Sequence, residues 1–63
     1  MVYFLLDASA LSAQQRIDYI AELDRNVGIA NADAENPLRI NLYADFPERL
    51  ILPPGVQVLS RHG

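Results

Sequence analysis

Residues 2–27 decide the fold, and they read VYFLLDASALSAQQRIDYIAELDRNV. The first part, Val2–Leu6, is a short apolar run with aromatic and branched side chains on both faces. Such a run is typical of a strand that is buried on both sides. We expect this strand to lie centrally in a sheet. Because both alternate sets of its side chains are apolar, one set must face away from a helix that covers the other.

The amphipathic part of this stretch predicts a helix that begins after Ser12. Ser12 and Gln15 have the spacing of a capping box, in which each side chain accepts a hydrogen bond from the other residue's backbone N–H. Asn26 or Gly28 is expected to supply a left-handed residue at the helix end. The apolar stripe expected to face the core consists of Ala13, Ile17, Ile20, Ala21 and Val27.

Two further helix residues, Tyr19 and Leu23, widen the apolar arc to about 200° at 100° per residue, and Arg16 lies inside the widened arc. A helix on a single sheet needs an arc of only about 100°. Two interpretations stay open. Either these residues belong to a second surface, or Tyr19 and Leu23 cover the rim of the protein's own sheet while the stem of Arg16 lies beside them.

Beyond the helix, residues 29–36 are rich in Ala, Asn and Asp and predict a loop. Residues 38–44 alternate cleanly between apolar and polar side chains, which predicts a strand. Arg39, Asn41 and Tyr43 share one face of this strand.

The last third of the chain predicts a turn at 45–48 and two short strand candidates at 50–52 and 56–59. Between the candidates, Pro53-Pro54-Gly55 fits a type II turn with Pro54 second and Gly55 third. Residues 61–63 are expected to be frayed.

Together these elements predict an α+β fold in the order β-α-β-β, with a fourth strand possible. A single amphipathic helix would pack on a three- to four-stranded sheet, and residues 1–63 would form one small domain. The sheet face opposite the helix would carry the polar side chains of strand 38–44. It would also carry every second side chain of the first strand. That set is either Tyr3 and Leu5 or Val2, Phe4 and Leu6.

Composition limits how this chain can be stabilised. It has 63 residues, 51% of them hydrophobic, and no cysteine. Below about 70–80 residues a single core seldom supplies more than ~3–5 kcal/mol, and small proteins often gain stability from cross-links, metals or partner subunits. With no disulfide available, packing against a partner becomes an attractive source of stability.

Charge and apolar run length exclude several classes of partner. The net charge is −3, and the five basic residues are arginines scattered along the chain, so no footprint for nucleic acid is present. The longest apolar run, Met1–Leu6, is too short to span a membrane. The absence of lysine and the many alanines favour a GC-rich bacterial or phage genome. We expect a cytoplasmic protein, or a virion-associated one if a phage encodes it.

Residues 4–11, FLLDASAL, resemble the opening of PIN-domain nucleases, in which an apolar first strand delivers an aspartate to a metal site. The resemblance covers eight of the 63 residues and implies a role for Asp7 in a metal-dependent nuclease. That family needs further acids from later helices and strands. In this chain the later acids fall in predicted loops: Asp33, Glu35, Asp45 and Glu48. An aspartate after a strand is also ordinary turn chemistry.

Otherwise we expect no enzyme activity, no catalytic residue, no cofactor and no metal site. The single histidine, His62, is expected to lie in a frayed segment, which would deny a general base its geometry. With no cysteine and one histidine, a zinc site is excluded. Residues 31–35 alternate oxygen donors but lack the glycine and distal glutamate of an EF-hand.

Three hypotheses for function remain. The first is a non-catalytic protein-binding module that associates with itself or joins a larger assembly, and the segment after Pro53-Pro54 could pair with a neighbour's strand. Tyr and Arg are frequent at interface centres, and its candidate contact residues are Arg16, Tyr19, Leu23, Tyr3, Arg39 and Tyr43.

The second hypothesis is a small acidic inhibitor of a nucleic-acid-binding protein, of the kind that phages encode. It would present Asp18 and Glu22 on the helix, with Asp33 and Glu35 in the following loop. The third is a fragment of a PIN-like nuclease.

Overall fold

The computed structural model describes residues 1–45 and 50–63, and it places one helix on a four-stranded antiparallel sheet. The elements are β1 (Val2–Asp7), α1 (Ala13–Asn26), β2 (Gly28–Ala32), β3 (Arg39–Ala44) and β4 (Gln57–His62). The sheet order is β2-β3-β1-β4. The predicted α+β class is confirmed, and β1 lies inside the sheet as expected.

The helix connects two strands that run in the same direction but are not neighbours. Strand β3 is antiparallel to both β1 and β2, and it lies between them. This is the arrangement of a split β-α-β unit. Its consequence for function is that the first and last strands of the order, β2 and β4, form the two edges of the sheet.

The start of α1 confirms the capping box. Ser12 Oγ accepts a hydrogen bond of 3.1 Å from the N–H of Gln15, and Gln15 Oε1 accepts one of 2.8 Å from the N–H of Ser12. The helix ends at Asn26, within the predicted region, but the expected left-handed residue is wrong, because neither Asn26 nor Gly28 has a positive φ. Instead Val27, at φ −119°, donates its N–H to the carbonyl of Leu23 and leads directly into β2.

The core-facing stripe of α1 differs in part from the predicted one, of which Ile20 and Val27 do pack against the core. Tyr19 and Leu23 are its buried residues, at 8% and 2% exposed, whereas Ile17 is 60% exposed. Ala13 and Ala21 are exposed as well. A large aromatic ring and a leucine bury more apolar area than two alanines, so the helix is rotated to favour them. This orientation matches the interpretation in which Tyr19 and Leu23 cover the protein's own sheet.

Strand β2 replaces the first part of the loop predicted at 29–36. Its sequence has few β-branched residues, and it is ordered by pairing along β3 from Gly28 opposite Ala44 to Ala32 opposite Ile40. Gly28 is required there because a β-carbon would overlap the carbonyl oxygen of Tyr43.

After β3 the predictions are partly confirmed. The type II turn is present: Val56 donates its N–H to the carbonyl of Pro53, and Gly55 has φ +92°. Residues 50–52 form no strand, and the expected frayed end is wrong because β4 includes Arg61 and His62. Most of the turn predicted at 45–48 falls on Phe46, Pro47 and Glu48, which lie outside the described residues.

The core lies between the helix and one face of the sheet. The buried apolar residues are Phe4, Leu6, Ala8, Tyr19, Leu23, Ala30, Ile40, Leu42, Ala44 and Val56. Phe4 and Leu6 of β1 therefore point toward the helix. The other set, Tyr3 and Leu5, lies on the opposite side, which we call the open face.

Candidate binding surface

An aromatic row crosses the open face from one edge of the sheet to the other. Tyr3 lies opposite Tyr43 on one side and His62 on the other, and Ile29 lies opposite Tyr43. The Tyr3 ring centroid is 4.9 Å from that of Tyr43 and 5.9 Å from that of His62. Such contacts stabilise the sheet, and they also hold these rings in fixed positions on an uncovered face.

A chain of hydrogen bonds fixes the hydroxyl of Tyr3. The hydroxyl donates to Asn41 Oδ1 at 2.6 Å, and Asn41 Nδ2 donates to Asp33 Oδ1 at 3.2 Å. Burial raises the pKa of Tyr3, and the nearby Tyr43 and Asp33 raise it further. The neutral phenol is therefore the stable form of this donor.

The predicted contact residues on the sheet are only partly brought together. Tyr3 and Tyr43 are in contact, whereas Arg39 lies at the other end of β3, opposite Asp7. Tyr43 is 39% exposed. The two tyrosines form one surface with His62, and Arg39 is separate from it.

The predicted contact residues on the helix are directed mainly inward. Tyr19 and Leu23 are only 8% and 2% exposed, although Tyr19 also lines a shallow depression on this side of the molecule. The Tyr19 hydroxyl donates to the carbonyl of Ile51 at 3.1 Å, and burial together with the charge of Glu22 raises the pKa of Tyr19 to about 12. Arg16 is half-buried and donates from Nη1 to the carbonyl of Leu11 at 2.6 Å, which fixes the loop before the helix.

The β2 edge of the sheet is protected by the helix. Asp24 Oδ1 accepts a hydrogen bond of 3.1 Å from the N–H of Ala30. The N–H of Asp33 donates to the carbonyl of Arg39, so Asp33 and Asn31 direct their backbone groups to β3. Successive residues of a strand alternate in direction, and the N–H of Ala30 therefore points away from β3. A carboxylate on this edge discourages the approach of another strand.

The β4 edge differs from the β2 edge in its hydrogen bonding. The Arg61 guanidinium lies over the ring of Phe4, 5.6 Å from its centroid, and the His62 ring stacks on Tyr3, so neither side chain extends beyond the edge. Among the described residues, no side chain accepts a hydrogen bond from an outward N–H of β4, as Asp24 does from Ala30 on β2.

The register shows which backbone groups of β4 face outward. Ala8 donates its N–H to the carbonyl of Leu38, on the β3 side. Alternate residues of an antiparallel strand bond the same neighbour, so Phe4, four residues earlier, also directs its backbone groups to β3. Arg61 lies opposite Phe4, and its N–H and C=O therefore point away from β1. In the part of the chain that the structure describes, no strand lies beyond β4.

Apolar side chains accompany this free edge. Val58 and Leu59 are 42% and 46% exposed. Of the six residues of β4, only Ser60 is half-buried and the other five are exposed, so β4 is poorly covered. The register shifts at this point, so Leu59 has no partner on β1.

The sequence indicated a pairing segment after the two prolines but did not indicate Arg61 and His62 as part of a strand, because polar residues at a chain end are typical of a frayed segment.

A shallow depression lies on the other side of the molecule, beside Tyr19. Its volume is about 240 Å³, and its lining is Leu11, Gln15, Asp18, Tyr19, Glu22 and Pro53. The lining combines an apolar floor with two carboxylates. It is smaller than the ~300–1,000 Å³ of typical small-molecule sites.

The aspartate that the sequence placed at a possible metal site is engaged locally. Ser9 Oγ donates to Asp7 Oδ2 at 3.0 Å. Across residues 1–45 and 50–63, no three His, Cys, Asp or Glu side chains are grouped closely enough to hold a metal ion. Within the same residues, no helix is both long and apolar enough to cross a membrane.

Comparisons with protein-family models, with curated proteins and with solved structures found no match to this chain. Function is therefore inferred from the surface itself.

Proposed function

We propose that this protein is a non-catalytic protein-binding module that binds an extended segment of its partner along the edge of β4. The observation that carries the proposal is that the backbone N–H and C=O of Arg61 point away from β1, with no further strand beside β4 among the residues that the structure describes. Addition of a strand to a sheet edge is a common mode of protein recognition.

The surroundings of β4 support this mode. The backbone N–H and C=O of Arg61 point outward and provide hydrogen bonds, while exposed Val58 and Leu59 provide apolar contacts. The aromatic row of the open face ends at His62, on the same strand. A partner strand along β4 would therefore meet the outward backbone groups of Arg61 near the end of β4, with apolar or aromatic groups beside them.

A matched pair of variants tests this proposal. Peptides that bind the protein are selected from a library of random linear sequences, and their dissociation constants are measured for Arg61→Ala and Arg61→Pro. Alanine keeps the outward N–H and proline removes it, so we expect binding to weaken at least about tenfold more for proline. Equal binding by both variants would contradict an edge-pairing mode.

A second candidate function is inhibition of a basic, nucleic-acid-binding protein, and the acidic depression beside Tyr19 favours it. Asp18 and Glu22 line this depression next to apolar side chains, which suits an arginine or lysine with an apolar stem. Glu22→Gln is expected to weaken such binding and to reduce its salt dependence. Binding of selected basic peptides that is insensitive to both salt and this substitution would remove the candidate.

A further inference from the structure

We propose that the occupant of the β4 edge is a second copy of this chain, with the two β4 strands antiparallel about a two-fold axis and the two sheets joined into one of eight strands. This inference rests on the proposed function, because it names the partner of the same edge.

The contrast between the two edges is the first argument. Asp24 occupies the β2 edge by accepting a hydrogen bond from the N–H of Ala30, whereas among the described residues no side chain accepts one from the outward N–H of Arg61 on β4. When two β4 strands pair, both outer edges of the joined sheet are β2 edges. Since these are protected, the assembly closes at two copies and does not grow into a fibre.

Charge is the second argument. The chain carries a net charge of −3, so most approaches of one copy to another bring acidic side chains together. Strand β4 contains no acidic residue, and its Arg61 guanidinium is held over Phe4, away from the edge. Pairing along β4 therefore avoids the repulsion that other contacts between two copies would meet.

Burial is the third argument. The core of one copy is small, with Val58 and Leu59 left exposed. These two residues lie on the strand that would form the interface. Pairing would cover them from both copies, and it would add backbone hydrogen bonds at Arg61 of each chain.

The test is sedimentation equilibrium from micromolar to millimolar concentration, on the full chain and three variants. We expect a reversible species of twice the 7.0 kDa chain mass for the unaltered protein. Arg61→Ala keeps the backbone N–H and should stay dimeric. Arg61→Pro removes one outward N–H from each copy and should raise the dissociation constant at least about tenfold.

Ala32→Pro is the matched control on the other edge. Ala32 lies opposite Ile40, and like Ala30 it directs its N–H away from β3. Proline at this position therefore removes an outward N–H from β2. This variant should dimerise like the unaltered chain. If instead Ala32→Pro is monomeric while Arg61→Pro dimerises, the pairing edge is β2 and the proposal is overturned.

Folding of the proline variants is checked by circular dichroism. If Arg61→Pro is unfolded, a synthetic chain with an N-methyl group on the Arg61 amide takes its place, because it keeps the side chain and blocks the same hydrogen bond. A folded N-methylated chain that dimerises as tightly as the unaltered one would overturn the proposal.

Cross-linking provides a second measurement. The chain has no cysteine, so Leu59→Cys, Ser60→Cys and Arg61→Cys each introduce one thiol. An antiparallel two-fold pairing brings one of these positions next to its own copy, at the ~4.4–6.8 Å Cα separation that a disulfide needs. Rapid oxidation of one of the three to a dimer supports the proposal, and absence of a dimer for all three contradicts it.

The two proposals can fail separately. If the unaltered chain stays monomeric at millimolar concentration, the second copy is not the partner. Peptides that still bind in an Arg61→Pro-sensitive manner would then preserve the proposed edge-binding function. Failure of both measurements would remove both proposals.

Discussion

The carboxylate of Asp24 on the helix accepts a hydrogen bond from the backbone N–H of Ala30 on β2, at 3.1 Å. This contact connects the end of the helix to an edge strand whose own sequence only weakly predicts a strand. It also gives the two edges of the sheet different chemical character, and the proposed function depends on that difference.

The first prediction concerns this contact. Asp24→Ala removes the acceptor and is expected to lower the free energy of unfolding by about 1 kcal/mol, the usual net value of one hydrogen bond. Asp24→Asn retains an Oδ1 acceptor and should recover most of the loss. Both are measured by urea denaturation. Equal destabilisation by the two variants would show that the charge, and not the hydrogen bond, is important.

The second prediction tests the orientation of the helix. Leu23→Ala creates a cavity in the core and should cost about 2–5 kcal/mol. Ile17→Ala changes an exposed side chain and should cost at most about 0.5 kcal/mol. Thermal or urea unfolding of the pair measures both values. If Ile17→Ala costs as much as Leu23→Ala, then Ile17 belongs to the core-facing stripe.

The third prediction concerns pH. The pKa of Tyr19 is raised to about 12 in the folded protein from 10.0 in the unfolded chain, so folding favours the neutral phenol. Its contribution to stability is complete below pH 10 and is lost as the pH rises from 10 toward 12. The loss amounts to about 2 kcal/mol for this mostly buried side chain.

Tyr19→Phe provides the comparison for that titration. It loses the hydrogen bond to the carbonyl of Ile51, which should cost about 1 kcal/mol at neutral pH. Its stability should then decline less steeply above pH 10 than that of the unaltered chain. Parallel pH profiles would exclude Tyr19 as the source of the decline.

The fourth prediction concerns the close approach of β2 to β3. Gly28→Ala forces a β-carbon against the carbonyl of Tyr43 and should destabilise the fold by at least about 1–3 kcal/mol, the usual cost of overpacking. Ala32→Gly, on the same strand and exposed, should cost only about 0.5–1 kcal/mol. Chemical denaturation compares them, and a neutral Gly28→Ala would mean that the strands can separate locally.

Features that depend on neighbours in the sequence were predicted well. The capping box of Ser12 and Gln15 and the type II turn at Pro54 and Gly55 are formed within four residues of chain, so their geometry follows from local hydrogen bonding and φ preference. The central position of β1 was predictable because a strand with two apolar faces is stable only when both faces are at least partly covered.

Features that depend on distant residues were not predictable. The rotation of the helix onto Tyr19 was decided by the carbonyl of Ile51, 32 residues away, and by the space beneath the ring. Strand β2 exists because β3 pairs with it on one side and Asp24 holds it on the other. Local propensity is too weak to outweigh such contacts.

The candidate binding surface likewise depends partly on the sequence and partly on the tertiary structure. The residue types of the aromatic row and of β4 are visible in the sequence, yet their meaning depends on which strand lies beside which. Only the sheet order places His62 on Tyr3 and Arg61 over Phe4, and only that order makes β4 an edge strand. Side-chain pattern is a property of the chain, whereas edges arise from long-range pairing, and so the tertiary structure alone decided where a partner can bind.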